Sequence, residues 1–179
     1  SLRPRIEIPQ RLRSVFVRIL PLNIAVWALG ALFLSLLPGL LHDMASDASM
    51  AWLSGAAAGG LTLSGAAAVL LFRHSTPLQA SQWGAWCIIA GMAIVLAGTQ
   101  LHQPWLILLG STPAGVGFGA GFLGVLRSLV VHAKACERAG LVSAFYIASY
   151  VPNAILAMLA GYTAQQAGFD AAGKAFCAF

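Results

Sequence analysis

Charged side chains are scarce in this sequence. Asp, Glu, Lys and Arg together make up 8% of its 179 residues, whereas 59% of the residues are hydrophobic. In an average soluble domain, roughly a quarter of the residues are charged. Ten basic and five acidic side chains cannot cover the surface of a globule of 18.6 kDa. The composition therefore excludes a soluble domain, a disordered chain and a nucleic-acid-binding tail, and we expect no nucleic-acid partner.

The residues that most often carry enzyme chemistry are also few and scattered. The three cysteines and four histidines lie far apart, so they form neither a disulfide framework nor a metal-ligand spacing. The glycine-rich run 115–124 follows no predicted strand and contains no P-loop lysine, which argues against a phosphate-binding loop. We therefore expect no enzymatic activity, no catalytic residue, no metal and no other cofactor.

Long uncharged runs are what the sequence does contain. None of the residues 19–42, 48–72, 74–126 and 139–169 is Asp, Glu, Lys or Arg. A helix needs roughly 20 apolar residues to cross the core of a bilayer, and the longest run divides at Pro104, which suits a helix start. The sequence thus predicts an all-α membrane protein with five transmembrane helices. The predicted regions are a basic segment 1–18, a helical bundle 19–168 with spans at about 19–41, 50–72, 82–100, 105–126 and 139–161, and a tail 169–179.

Basic residues alternate between the segments that flank the predicted spans. Five arginines precede the first span, Arg73 follows the second and Arg127, Lys134 and Arg138 follow the fourth, whereas the other two loops have no Lys or Arg. Basic loops favour the cytoplasmic side, so we expect an integral protein of a cell membrane (inner or plasma) with its N-terminus in the cytoplasm. Five crossings leave the C-terminus outside, and we interpret 169–179 as a tail or the start of a truncated sixth helix.

Small residues follow helical spacings on two of the predicted spans. Gly55 and Gly59 share a face of the second span with Thr62 and Ala66. On the fourth span, glycines occupy two opposite faces, one with Gly110, Gly117, Gly121 and Gly124 and the other with Gly115 and Gly119. Small residues let membrane helices approach closely. We therefore predict helix-packing roles for Gly55, Gly59, Gly117, Gly121 and Gly124, either in a static bundle or in a helix that rocks against its neighbours.

One face of the fifth span carries polar side chains. Ser143, Tyr146, Tyr150 and Asn153 fall within about 80° of one another at 100° per residue. Polar groups that face lipid are costly, so we expect this face to look into the bundle or into a wet cavity. Together with Asn23 of the first span, these are the predicted substrate-binding residues. The alternative is that they hydrogen-bond neighbouring helices.

Trp27 shares a face of the first span with Asn23. Tryptophan is enriched at membrane–water interfaces, and Trp27 lies eight residues into the predicted span. We interpret it as an interfacial anchor rather than a binding residue.

Three segments carry a family resemblance. The basic, proline-containing run Arg3-Pro-Arg-Ile-Glu-Ile-Pro leads into the first span, the run Gly115-Val-Gly-Phe-Gly lies within the fourth, and residues 137–152 approach and form the fifth. In this order they resemble the central loop, the tenth helix and the eleventh helix of a transporter of the major facilitator superfamily. The resemblance extends from about residue 11 to 168. It implies the C-terminal six-helix half-bundle of that family without its last helix.

The resemblance also implies a function. In that family, two six-helix halves enclose a site near the midplane and move about it to give alternating access. The chain would then be a fragment of a secondary active transporter for a small solute or drug-like compound, with an N-terminal six-helix half as its missing partner. Residues 73–81 depart from the family because they lack its Gly, Asp and Arg loop motif. The alternative is a non-transporting membrane scaffold or assembly factor; both functions place the chain in a lipid bilayer.

Overall fold

The described part of the chain is all-helical. A computed structural model describes residues 8–44 and 52–177, with side chains as far as Gln166 apart from that of Asp43. Five of its helical segments are long and apolar enough to cross a membrane, which equals the number of spans that the sequence predicts. The all-α class is confirmed for the described residues. Their outer faces carry large exposed apolar side chains, such as Leu71 and Met158, both 76% exposed. Such surfaces suit lipid and are compatible with an integral membrane protein.

The first spanning segment is a composite helix, which runs from a 3₁₀ turn through an α-helix and a π-helical stretch into a second α-helix. The second spanning segment is an α-helix that ends in a 3₁₀ turn, and the other three are single α-helices. The bounds are Gln10–Leu12 (3₁₀), α1 Arg13–Ala31, Leu32–Leu36 (π), α2 Leu37–Met44, α3 Trp52–Leu71 with a 3₁₀ turn Phe72–His74, α4 Pro77–Gln100, α5 Pro104–Val130 and α6 Arg138–Cys177.

Prolines and a capping box set the helix boundaries in the middle of the chain. The Thr76 hydroxyl accepts a hydrogen bond from the backbone N–H of Gln79, whose side chain accepts one from the N–H of Thr76. Pro77 is the first residue of α4, and Pro104 begins α5 after a turn that includes His102 with a φ of 51°. α4 therefore begins before the predicted boundary at residue 82, because capping rather than polarity decides where it starts.

α6 continues past the predicted end of the fifth span at residue 161. That boundary rested on the polar run that begins at Thr163, yet the helix is uninterrupted to Cys177. Polarity alone does not end a helix, since Gln and Ala are good helix formers and the run contains no proline. Residues 169–177 therefore continue α6 as a helix.

α4 and α5 pack antiparallel along a seam of glycines. A Cβ added to Gly84 would lie 2.5 Å from the Cα of Gly121, and one added to Gly91 would lie 2.7 Å from the Cα of Ala114. Gly98 repeats the pattern seven residues further on, and a spacing of seven is typical of a left-handed helix pair. We call this the heptad seam; its six layers pair Ser81 with Gly124, Gly84 with Gly121, Ile88 with Gly117, Gly91 with Ala114, Val95 with Gly110 and Gly98 with Ile107. Every layer contains a glycine, so the two backbones approach closely along its whole length.

α5 packs on its opposite face against α3, in parallel. Gly119 lies against Gly65, and a Cβ on Gly119 would be 2.8 Å from the Gly65 carbonyl carbon. One turn earlier, a Cβ on Gly115 would be 2.8 Å from the Cα of Leu61. Small residues four apart are typical of right-handed membrane helix pairs. α5 is therefore in close contact on two opposite faces, and α3, α4 and α5 form a tightly packed block.

Gly55 and Gly59 do not share this environment. A Cβ on either glycine would meet nothing within 4 Å among the described residues. The close contacts of α3 involve Leu61 and Gly65, which lie on another face of the helix. The structure therefore does not give Gly55 and Gly59 the helix-packing role predicted from their spacing, because a small face allows a close approach without showing that a helix occupies it.

Hydrogen bonds bring the three basic segments to one end of the bundle. Arg127, near the end of α5, donates to the backbone carbonyl of Arg73 at 3.1 Å and so holds the α3–α4 connection. Arg11 forms an ion pair with Glu137 and donates to the carbonyl of His132 at 3.2 Å, which joins the N-terminal segment to the α5–α6 connection. We call this the basic end.

The Arg11–Glu137 pair predicts a small pH-dependent stabilisation. The backbone N–H of Lys134 and, more weakly, Arg11 lower the pKa of Glu137 below its ordinary value of 4.5, although partial desolvation opposes the shift. A lowered pKa stabilises the fold above the ordinary value, and that contribution is lost as the pH falls through the folded-state pKa. We expect Glu137→Gln to lower the Tm slightly near pH 7, and by progressively less as the pH falls below 4.5, in thermal unfolding of the detergent-purified protein. A loss that does not change with pH would contradict this.

Candidate functional site

Five aromatic rings from three helices form one cluster midway along the bundle. Trp27 on α1 contacts Tyr150 on α6 with ring centroids 4.6 Å apart, and Tyr146 with centroids 6.5 Å apart. Phe122 of α5 packs against Trp27 at 6.4 Å and against Phe145 at 5.9 Å. We call these five residues the aromatic cluster. It is the place where α1, α5 and α6 meet.

The two tyrosines form the exposed side of the aromatic cluster. Their rings are stacked, with an interplanar angle of 21° and centroids 5.9 Å apart. Tyr146 is 37% exposed and Tyr150 is 55% exposed, whereas Phe145 beside them is buried. The cluster therefore has a buried base and an accessible aromatic surface, an arrangement that can bind the flat apolar part of a small molecule.

α1 and α6 are parallel and in register. The Arg11–Glu137 ion pair and the Asn23–Ser149 hydrogen bond both join residues that are 126 positions apart. The same separation pairs Trp27 with Asn153. At 1.5 Å per residue, the sixteen residues from Arg11 to Trp27 place this level about 24 Å from the basic end.

Asn23 is committed to a contact between helices. It is 1% exposed, and its Nδ2 donates to the Ser149 hydroxyl oxygen at 2.9 Å. The Ser149 hydroxyl in turn donates to the carbonyl of Phe145 at 2.8 Å. This is the interhelical bonding that the sequence left open as the alternative to substrate binding. Asn23 therefore positions α1 against α6 and does not line an accessible surface.

Ser143 lies on the same face of α6 as the tyrosines but nearer the basic end. Its side chain is exposed, and its hydroxyl donates to the carbonyl of Ala139 in its own helix at 2.9 Å. The structure thus brings Tyr146, Tyr150 and Asn153 to the level of Trp27, and leaves Ser143 to one side.

Two buried polar atoms at the level of the aromatic cluster have no hydrogen-bond partner in the described part of the chain. They are Nε1 of Trp27, which is a donor, and Oδ1 of Asn153, which is an acceptor. A buried polar atom without a partner costs about 1–3 kcal/mol. Buried groups left in this state are candidates for contact with a ligand or a water molecule.

Trp27 is the residue of this site that sequence reasoning assigned differently. The first spanning segment begins at Gln10 and ends at His42, so Trp27 lies near its middle, too deep for an interfacial anchor. The signal was present, because Trp27 shares a helical face with Asn23. What the sequence did not show is how far the helix extends before residue 19.

A separate cavity of about 600 Å³ lies between α1 and α4. It is lined by apolar side chains that include Pro21, Ala25, Ile88 and Met92. These α1 residues lie on the side of the helix away from Asn23 and Trp27. The cavity offers no hydrogen-bonding side chain, so it does not match the polar face of α6.

The described residues contain no group of three or more His, Cys, Asp or Glu side chains able to hold a metal ion. Residues 104–126 of α5 and 139–166 of α6 also contain no charged side chain. The aromatic cluster can therefore bind a molecule through ring stacking and hydrogen bonds, without ion pairs from these helices. No protein-family model, curated protein or solved structure matches this chain.

Proposed function

We propose that this chain is part of a secondary active transporter that binds a small, drug-like solute at the aromatic cluster. The observation that carries the proposal is an accessible tyrosine pair beside two unpaired buried polar atoms, Trp27 Nε1 and Asn153 Oδ1. Secondary transporters bind their substrates near the bilayer midplane. A distance of about 24 Å from the basic end is close to half of a bilayer that is roughly 40–45 Å thick with its headgroups. The proposed role is binding and movement, without chemical conversion.

We also propose an orientation of the chain in the membrane. With the basic end in the cytoplasm, the N-terminal segment and the α3–α4 and α5–α6 connections all follow the positive-inside rule. The Arg127–Arg73 and Arg11–His132 hydrogen bonds, which hold these segments together, support a common side for them.

The family in this proposal is the major facilitator superfamily. The order of the spans and the glycine-rich α5 support it, since they resemble the C-terminal half of such a transporter. Alternating access would then require an N-terminal six-helix half that encloses the aromatic cluster from its exposed side. The exposure of Tyr146 and Tyr150 is compatible with a site shared between two halves.

A scaffold or assembly factor is the second candidate. The observation in its favour is the small face of α3 at Gly55 and Gly59, which no described helix approaches within 4 Å of a Cβ. A partner helix could approach there. Gly55→Leu and Gly59→Leu would weaken partner binding under this alternative, and would leave solute movement unaffected under the transporter proposal.

The transporter proposal is tested by solute accumulation in cells that produce this chain as part of the full transporter, with the N-terminal half that alternating access requires. A panel of fluorescent drug-like compounds identifies a transported compound, and Tyr150→Phe combined with Asn153→Ala is then compared with the natural protein. We expect about a tenfold higher half-saturating concentration, since both changes remove hydrogen-bonding groups worth about 1 kcal/mol each or less. The amount of protein in the membrane, measured by immunoblot, is expected to be unchanged.

Tyr162→Phe is the matched control. Tyr162 also lies on α6 and is 63% exposed, but it is twelve residues beyond Tyr150. It should leave accumulation unchanged. If the double variant transports every compound as the natural protein does, the aromatic cluster is not the binding site; if no compound moves at all, the scaffold is favoured.

A further inference from the structure

The two unpaired atoms at the aromatic cluster are complementary in kind and belong to corresponding positions of α1 and α6. Trp27 Nε1 can only donate a hydrogen bond, and Asn153 Oδ1 can only accept one. The two residues are separated by the same 126 positions that separate the bonded pairs Arg11–Glu137 and Asn23–Ser149. The first pair joins the residues just before α1 and α6, and the second joins the two helices themselves. At Trp27 and Asn153, the donor and the acceptor are both unpaired in the described part of the chain. A ligand could therefore hydrogen-bond both Trp27 Nε1 and Asn153 Oδ1.

The rings beside these atoms define the shape of such a ligand. Tyr150 lies 4.6 Å from Trp27 between ring centroids, and Asn153 follows it on α6 by three residues, about 4.5 Å along the axis. Tyr146 and Tyr150 are nearly parallel and partly exposed. A planar aromatic molecule can stack on this surface. The two polar atoms are buried, so its edge reaches them only when the side chains around them turn aside.

The helices around the aromatic cluster determine which charge a ligand can carry. No Asp, Glu, Lys, Arg or His occurs in residues 19–41, which include α1 from Ile19 onward, or in residues 104–126 and 139–166. A charged group buried among these helices would have no counter-ion from them, and an unpaired buried charge costs far more than an unpaired polar atom. An uncharged ligand meets no such penalty.

We infer that the solute of this site is an uncharged planar aromatic compound with a hydrogen-bond acceptor for Trp27 Nε1 and a donor for Asn153 Oδ1. Bicyclic lactams have this chemistry, since a ring N–H and a ring C=O lie side by side on one edge of a flat neutral molecule. This inference rests on the proposed binding role of the aromatic cluster and deepens it by naming the solute class.

The test compares two probes that differ in a single donor. The probe 2-quinolone has the N–H and the C=O, whereas N-methyl-2-quinolone keeps the C=O and loses the donor. Equilibrium dialysis of each probe against the protein in lipid nanodiscs measures Kd. We expect 2-quinolone to bind about tenfold more tightly than its N-methyl analogue, the effect of one hydrogen bond whose loss leaves a buried acceptor unpaired.

Two protein variants assign the bonds to residues. Asn153→Leu removes the acceptor and is expected to abolish the difference between the two probes. Trp27→Phe removes the donor, keeps a ring in place, and should weaken both probes about tenfold while preserving their ratio. Trp105→Phe is the control, because Trp105 packs on Trp52 at the end of the bundle opposite the basic end, away from the aromatic cluster. It should change neither Kd.

The outcomes separate this inference from the proposed function. Equal binding of the two probes to the natural protein, or an unchanged ratio in Asn153→Leu, would overturn the inference about the solute class. Tighter binding of the cationic analogue N-methylquinolinium or of anionic quinoline-2-carboxylate would also overturn it. If any of these results came with transport of another compound that is sensitive to Tyr150→Phe, the binding role of the aromatic cluster would stand. Loss of that sensitivity would contradict the proposed function as well.

Discussion

Gly119→Ala is expected to lower the free energy of unfolding by about 3 kcal/mol, the upper end of the usual range for overpacking substitutions. The new Cβ would overlap the Gly65 carbonyl oxygen and lie 2.9 Å from the Gly65 Cα. These atoms belong to the backbone, so no side-chain rotation relieves the overlap, and α3 and α5 must move apart. That movement also opens the contact between Gly115 and Leu61, one turn away.

The measurement is thermal unfolding in detergent, followed by the loss of the monodisperse peak in size-exclusion chromatography. For a chain of this length, 3 kcal/mol corresponds to a Tm lowered by roughly 6–12 °C. Gly59→Ala is the matched control on α3, since a Cβ there meets nothing within 4 Å among the described residues. Alanine is also the better helix former by about 1 kcal/mol, so Gly59→Ala should keep or slightly raise the Tm. Equal losses in the two variants would contradict the packing of α3 on α5.

The helices and the basic end were predictable from where charges occur. Runs without charge are long enough to cross a membrane, and the positions of Arg73 and Arg127 at the ends of two different spans indicated a shared side. The helix ends were less predictable, because a charge count does not detect a cap such as Thr76, and a polar run such as the one after Thr163 does not end a helix. Composition thus predicts which segments span better than it predicts where they begin and end.

The pairing of the helices was not predictable in the same way. The glycine faces of α5 were visible in the sequence, but their partners were not. Gly84, Gly91 and Gly98 are seven residues apart on α4, and this spacing has a clear meaning only beside the antiparallel α5. Gly55 and Gly59 have an equally suggestive spacing, yet no described helix lies on them. A small face is a local property, whereas a contact also depends on a second helix and its register.

The residues of the candidate site also differ in how far the sequence predicted them. Tyr146, Tyr150 and Asn153 were found from helical periodicity, because all three lie on α6. Trp27 and Asn23 lie on α1, and their roles depend on how α1 is aligned with α6. The bond between Asn23 and Ser149 establishes that alignment, and the alignment in turn brings Trp27 to Tyr150. Residues from one helix were predictable, and the contribution of the second helix required the fold.

Glycines in the heptad seam should respond differently according to what they contact. A Cβ on Gly84 would lie 2.5 Å from both the N and the Cα of Gly121, so Gly84→Ala forces two backbones apart and is expected to cost about 3 kcal/mol. A Cβ on Gly121 would instead lie 2.9 Å from Cγ2 of Val26 on α1 and 3.9 Å from the Cα of Gly84. Gly121→Ala thus meets a side chain, and its expected cost is smaller, about 1–2 kcal/mol.

A double-mutant cycle with Val26→Ala tests this distinction. Val26 is fully buried, so its truncation alone should cost about 2 kcal/mol. In Gly121→Ala with Val26→Ala, the added methyl occupies the space that the valine loses, and we expect the two to couple favourably by about 1 kcal/mol or more. In Gly84→Ala with Val26→Ala, the losses should add, because the overlap at Gly84 does not involve Val26. Size-exclusion thermal unfolding measures all four terms of each cycle.

The double-mutant cycle also tests whether α1 and α6 can move relative to α3, α4 and α5. Backbone contacts at Gly84 and Gly119 hold α3, α4 and α5 as one block, whereas α1 rests on that block at Gly121 through the side chain of Val26. Side chains can repack while backbones in contact cannot, so we expect any movement of α1 and α6 against the block to be accommodated by repacking of such side chains. A transporter that rocks about the aromatic cluster needs such a division. Coupling at Gly84 as strong as that at Gly121 would contradict it, since Val26 would then belong to the backbone seam itself.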